Sequence, residues 1–162
     1  MRRFVLFVSV AVIAAGLASA PAQQGEIGAI EDRLQRFFEA GNYTAALAEA
    51  NKLVNAAKTR FGVNSAPHAQ ALTNLGHVLA KLNRMDQAQA AYKQALEIFD
   101  KAPDPSSILE ALQGLSAVYE QLGRFADVVP LAQREYEMLQ RELGPTHQEV
   151  AEARRRRRVR PS

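Results

Sequence analysis

The chain contains no cysteine, which excludes disulfides, thiolate metal sites and a cysteine nucleophile. Histidine is scarce. His68, His77 and His147 are far apart in sequence, and no His-Glu-x-x-His places two on one helix face, so no metal site is expected. There is no Gly-x-Ser-x-Gly elbow. Gly25, Gly28, Gly41 and Gly62 form neither a phosphate loop nor a dinucleotide fingerprint. Acyl transfer and nucleotide hydrolysis therefore lack the residues to run them. Glu31-Asp32 and the pair Glu135 and Glu137 are the acidic candidates, and they read as solvated helix faces, not as a glycosidase pair. The chain is expected to be no enzyme and to carry no cofactor.

Alternation of β-branched and aromatic residues with period two is also missing, so a sheet has nothing to build on. A long hydrophobic run is missing too. Arg2 and Arg3 precede an uncharged apolar stretch from Phe4 to Leu17, which ends in Ala18-Ser19-Ala20 before Pro21. That layout fits a signal peptide cleaved after Ala20 and is short of the ~20 apolar residues that span a bilayer. An exported, periplasmic address follows from it as an expectation, with residues 1–20 as the signal peptide and 21–25 as a flexible segment. The net charge of +3 conceals an asymmetry. Of 20 basic residues, Arg2 and Arg3 lie in the leader and Arg154, Arg155, Arg156, Arg157, Arg158 and Arg160 in the tail, leaving 12 against 17 acidic residues in the body. The body is acidic and offers no basic face for nucleic acid.

What is present is a repeat. Gly41-Asn42-Tyr43, Asn83-Arg84-Met85 and Gly123-Arg124-Phe125 recur at spacings of 42 and 40 residues. Before the second turn, Leu72, Leu75, Gly76, Leu79 and Leu82 fall at three- and four-residue steps; before the third, Leu112, Leu115, Ser116, Tyr119 and Leu122 do the same. Ala88, Ala91, Tyr92, Ala95, Leu96 and Phe99 follow one turn, and Val128, Leu131, Tyr136 and Leu139 the next. Each unit is thus a pair of antiparallel helices. Small residues on the stripes let the helices approach closely. Asp104-Pro105 and Thr146-His147-Gln148-Glu149 have the form of helix starts, and Gly62 and Gly144 of helix stops. Pro130 lies early enough in its helix to be tolerated. Helices are predicted at 26–40, 44–61, 66–82, 86–100, 105–122, 126–143 and 146–157.

The arrangement resembles a tetratricopeptide repeat array of the kinesin light chain-like variety. Leu72, Leu75, Gly76, Leu79, Met85, Ala88, Tyr92 and Ala95 occupy the eight signature places of the middle repeat, and Gly144-Pro145-Thr146-His147 matches the segment that precedes the next unit. The resemblance covers residues 26–153, with repeats at 27–61, 69–101 and 109–143. It implies an all-α, right-handed solenoid of three helix pairs with a C-terminal capping helix. The outer repeats depart from the pattern: Arg33 and Leu34 blur the first, and Ala132 and Glu135 stand at an aromatic and an alanine place in the last.

In such a stack the first helix of each pair lines a concave surface. The polar residues off the apolar stripe there are Gln70, Thr73, Asn74, His77 and Lys81, then Glu110, Gln113, Glu120 and Gln121, with Ala117 among them. These are the candidate groove residues for a peptide or protein partner. The resemblance places Asn74 where the family often holds a peptide backbone. Gly114 at the matching place means that a paired-asparagine clamp for a peptide carboxylate is not reproduced. Tyr43, Tyr92, Tyr119 and Phe125 fall on core stripes or turns and are read as packing. The expected function is a non-catalytic scaffold of the bacterial periplasm or envelope. Two other readings are an adaptor arm of a larger multidomain protein and a tether to an anionic membrane surface through the arginine tail. The arginines are expected to face solvent from a short capping helix that begins at Thr146 and packs its start through Val150 and Ala153, with residues 154–162 dispensable for stability and 159–162 disordered.

Overall fold

A computed structural model of the protein describes residues 21–144 and 146–157. Within them the chain forms seven helices and no strand: α1 (Pro21–Glu39), α2 (Tyr43–Phe61), α3 (Ala66–Lys81), α4 (Met85–Phe99), α5 (Pro105–Gln121), α6 (Phe125–Leu143) and α7 (Gln148–Arg157). Consecutive helices pack on one another, and α3 also touches α5. The result is an all-α solenoid of three helix pairs closed by α7. The expected leader and residues 159–162 lie outside the described residues. The segment 21–25, expected to be flexible, is instead the first turns of α1. Pro21 supplies a preset helical φ at the first position, and Ala22, Gln23 and Gln24 are good helix formers.

The three interhelix turns share one geometry. Gly41, Asn83 and Gly123 take φ of 73°, 58° and 69°, and Asn83 is the one non-glycine residue at positive φ among the described residues. Each donates its amide to the carbonyl three residues back, at 3.0 Å, while the next residue reaches five back: Asn42 to Phe37, Arg84 to Leu79 and Arg124 to Tyr119 at 2.8–2.9 Å. This double closure ties up the last carbonyls of α1, α3 and α5 and reverses the chain. The α2–α3 loop is pinned differently. Ser65 donates its hydroxyl to the Gly62 carbonyl at 2.8 Å and accepts from the His68 amide at 3.3 Å. His68 is buried there, its ring Nδ1 within 2.8 Å of the Val63 carbonyl oxygen. Asp104 precedes Pro105 as expected, but its carboxylate receives the Ser106 and Ser107 hydroxyls, with no cap bond to the helix amides.

One buried cluster fills the first pair and its contact with α3, through Ile30, Leu34, Leu53 and Val78. A larger one runs through the second and third pairs. The alanines at the repeat's small places, Ala46, Ala88 and Ala95, are wholly inaccessible. Helix axes can come close there because no side chain stands between them. Tyr92 of α4 sets the tightest approach: a Cβ built on Gly76 of α3 would lie 2.7 Å from its ring, and one on Gly114 of α5 2.5 Å. Both glycines sit inside helices, where they are unfavourable by ~1 kcal/mol relative to alanine. The ring makes them necessary. Gly114→Ala is therefore expected to lower stability by about 1–3 kcal/mol through overpacking. Gly28→Ala, in α1 with nothing within 4 Å of its added methyl, should raise it by up to ~1 kcal/mol. Paired urea denaturations read both signs.

Candidate partner-binding groove

The first helices of the three pairs meet along one face around a groove of about 250 Å³. Its wall takes Phe38 from α1, His77, Ala80 and Lys81 from α3, and Glu110, Gln113, Gly114, Ala117, Val118 and Gln121 from α5, with Tyr92 of α4 behind them. The sequence reading of His77, Lys81, Glu110, Gln113 and Gln121 as one surface is thereby realised in space. Phe38 was missed. It stands 42 residues before Ala80, the repeat's own spacing, so extending the register into the blurred first unit would have found it. Tyr92 does pack in the core, and its hydroxyl also reaches the groove wall.

The wall is organised by a chain of hydrogen bonds. Tyr92 Oη lies 2.7 Å from His77 Nδ1, His77 Nε2 lies 3.0 Å from Glu110 Oε1, and Gln70 Nε2 donates to Glu110 Oε2 at 3.1 Å. An ionised carboxylate can only accept, which assigns the Nε2 proton to His77 and leaves Nδ1 to accept from the phenol. The rings meet edge to face, 5.3 Å between centroids. Burial, followed by the Glu110 charge, pushes the Tyr92 phenol far above its ordinary value, so the hydroxyl remains a donor. Burial alone would raise Glu110 as well. The His77 hydrogen bond, with the Gln70 amide, outweighs it and leaves the carboxyl below its usual value.

Four of the expected groove residues lie elsewhere. Thr73 is fully buried, its hydroxyl donating to the Ala69 carbonyl at 3.1 Å. Asn74 is buried and off the groove wall. Gln70 is buried and looks into a different cavity, and Glu120 is exposed beyond the wall. The cause is common to the buried three: α3 is covered by α2, α4 and α5, so less of its circumference reaches solvent than the polar pattern implies.

The C-terminal arginines also divide. Val150 and Ala153 are wholly buried against Tyr136 and Leu139, as the expected cap requires. Arg155 is exposed. Arg154 lies 5.8 Å from the Tyr136 ring centre and donates to its hydroxyl at 3.4 Å. Arg156 Nη1 lies 3.1 Å from Glu135 Oε1, an atom that also accepts from Gln113 Nε2 at 2.8 Å. Glu135, read as solvated, is 1% exposed. Two expectations are corrected here: Glu135 is a core carboxylate at the repeat's alanine place, and Arg156 is its counter-ion. Arg157 ends α7, and Arg158 and Arg160 lie outside the described residues.

Three clusters of partnered carboxylate thus line the stack, the third being Glu49, held below its usual value by the Lys52 hydrogen bond at 2.6 Å, against the effect of burial, and by Arg33 at 2.9 Å. The sequence profile of the tetratricopeptide repeat matches residues 37–101 and 68–141, more than half of the chain. The chain belongs to the tetratricopeptide repeat family. Among solved structures it is similar to a TPR-like protein from Chlorobium tepidum, with 19% identity over 84% of this chain and 94% of that one and a TM-score of 0.64. It is also similar to BtubC (BKLC) from P. vanneervenii, with 15% identity, 83% and 63% coverage and a TM-score of 0.52. No curated protein matches the sequence. Repeats of this family generally mediate protein–protein interaction, and the fold is typically a non-catalytic scaffold.

Removing Arg156 leaves a buried carboxylate with one amide partner, so Arg156→Ala should cost about 1–3 kcal/mol. Arg155→Ala should cost nearly nothing. Adding Glu135→Ala to Arg156→Ala should return stability to within ~1 kcal/mol of the parent, since the alanine needs no counter-ion. Thermal melts of the three variants check the order. A second expectation concerns acid. Glu49 and Glu110 have folded pKa values below their unfolded ones, so the stability they contribute is present above the unfolded glutamate pKa and is lost as pH falls through the folded values. Glu31, raised by burial and by Asp32, works in the opposite sense and blunts the loss. Denaturant midpoints should fall between about pH 5 and about pH 3, and Glu110→Gln should flatten that limb.

Proposed function

We propose that the protein is a non-catalytic interaction module that holds an extended segment of a partner protein in the groove between α1, α3 and α5. The observation that carries this reading is the groove itself, to which the first helices of all three pairs contribute. Its floor is small and apolar at Ala80, Gly114, Ala117 and Val118, so a peptide backbone can approach closely. Its rim offers Lys81, Gln113 and Gln121, all exposed and all able to donate to peptide carbonyls. The polar chain from Tyr92 to Glu110 fixes the wall, so little side-chain freedom is lost on binding.

Export to the bacterial periplasm or envelope is part of the proposal. It is supported by the Arg2-Arg3 start, the apolar run and the Ala18-Ser19-Ala20 site. The kinesin light chain-like assignment is supported by Gly144-Pro145-Thr146-His147. A photo-crosslinking side chain at Gln113, on the rim, should yield a discrete adduct in cells, and one at Glu97, exposed on α4, should not. Lys81→Glu should abolish the Gln113 adduct. Equal adducts at both sites would remove the groove from the proposal, and an inactive alkaline phosphatase fusion to residues 1–25 would remove export.

A further inference from the structure

A second cavity, of about 280 Å³, lies at the other end of α3, where it meets the start of α1 and the end of α2. Ile27, Leu53, Ala57 and Phe61 give it an apolar wall, and three polar side chains are part of its lining: Glu31, Arg60 and Gln70. Their hydrogen bonding is unfinished. Arg60 Nη1 and Gln70 Oε1 are both sealed from bulk solvent without a partner, whereas nearly all buried polar atoms in folded proteins have one. Gln70 is 8% exposed. Its Nε2 donates to Glu110, which leaves the amide oxygen as the unpaired atom of the side chain. Among the described residues no cation lies within ion-pair distance of Glu31. Burial and neighbouring Asp32 raise its pKa, the mark of a carboxylate without a counter-ion.

The side chains that line the cavity therefore bring one cationic donor and two acceptors, one of them anionic, beside a hydrocarbon surface; Arg60 Nη1 and Gln70 Oε1 lie just beneath that surface and turn into it to meet a ligand. The complement of that set carries an anionic acceptor and a cationic donor on an apolar body. We propose that this cavity binds a small apolar zwitterion, a free apolar α-amino acid or its dipeptide. The carboxylate sits on Arg60, the ammonium on Glu31 and Gln70 Oε1, and the side chain against Ile27, Leu53, Ala57 and Phe61. Such a ligand pairs each unfinished group with its opposite in one step and keeps the charges neutral overall, which a fatty acid or a simple amine does not. The site opens at the other end of α3 from the groove and shares with the groove wall only the Gln70–Glu110 hydrogen bond.

Isothermal titration calorimetry of the whole chain tests this with L-leucine, dileucine, 4-methylpentanoate, isopentylamine and glycine. Leucine or dileucine should bind one to one, roughly tenfold or more tighter than each compound lacking the amine, the carboxylate or the apolar body. The tighter of the two identifies the source. Arg60→Met and Glu31→Gln should each weaken that binding by roughly tenfold, while Lys81→Ala in the groove should leave it unchanged. No binding by either zwitterion, equal binding by the truncated compounds, or indifference to Arg60→Met would overturn the proposal. The ligand series uses the unaltered protein, so it decides even if a variant misfolds. Groove crosslinking at Gln113 is read independently, which separates failure here from failure of the partner-binding reading.

Discussion

Tyr92 is the point on which the second and third helix pairs depend. Its ring occupies space between α3 and α5 that only glycine leaves open, at Gly76 and at Gly114. A large apolar area is buried there, and two mid-helix glycines, each unfavourable by ~1 kcal/mol, are offset by it. Because the three helices share one ring, the angle between neighbouring pairs is fixed by contact and not by loop length. The same side chain carries a hydroxyl that cannot remain unpaired in the interior. It finds His77, and His77 finds Glu110. A packing solution thus dictates a polar one, and the polar one surfaces as the groove wall.

Elsewhere in the stack a similar rule holds for three carboxylates, each of which is partnered from another element. Glu49 of α2 takes Arg33 from α1 beside its own helix's Lys52, Glu110 of α5 takes His77 from α3, and Glu135 of α6 takes Arg156 from α7. At Glu49 and Glu135 the cation is partly exposed and stays hydrated while the carboxylate is held, so the desolvation penalty falls mainly on one partner. Apolar stripes alone are degenerate in a repeat, because each helix pair could stack on any other. Pairs of charge placed once each distinguish one interface from the next.

How far this was legible follows from the range of the signals. The turns repeat at a fixed period and carry their own conformational demand, so Gly41, Asn83 and Gly123 announce themselves without tertiary information. Helix bounds follow from them, and from stops such as Gly62. Depth of burial does not. Thr73, Asn74 and Glu135 are polar residues at positions that the stripe pattern assigns to solvent or leaves irregular, and their burial is decided by which helices lie across α3 and α6. The same reason divides the expected groove residues in space: His77, Lys81, Glu110, Gln113 and Gln121 share a register that the repeat fixes, whereas Gln70 turns into a neighbouring cavity because the α1–α2 pair overhangs it.

The end of the array shows why a local reading of charge misleads. Arginines in a row look like a solvated tail when only carboxylates near in sequence are considered. In the stack, α7 lies against α6, and a carboxylate distant in sequence becomes adjacent in space. Glu135 occupies the place where a continuing repeat holds alanine, so its charge would oppose close packing of another repeat's apolar first helix. Arg156 resolves that conflict by covering the carboxylate with a cation whose outer side stays wet, while Arg154 spreads over the Tyr136 ring. Val150 and Ala153 complete the hydrophobic seal beneath. The third helix pair is therefore closed by a surface that is apolar on its inner side and basic on its outer side. An acidic residue placed in its core position makes that cap fit better than another leucine-striped helix would.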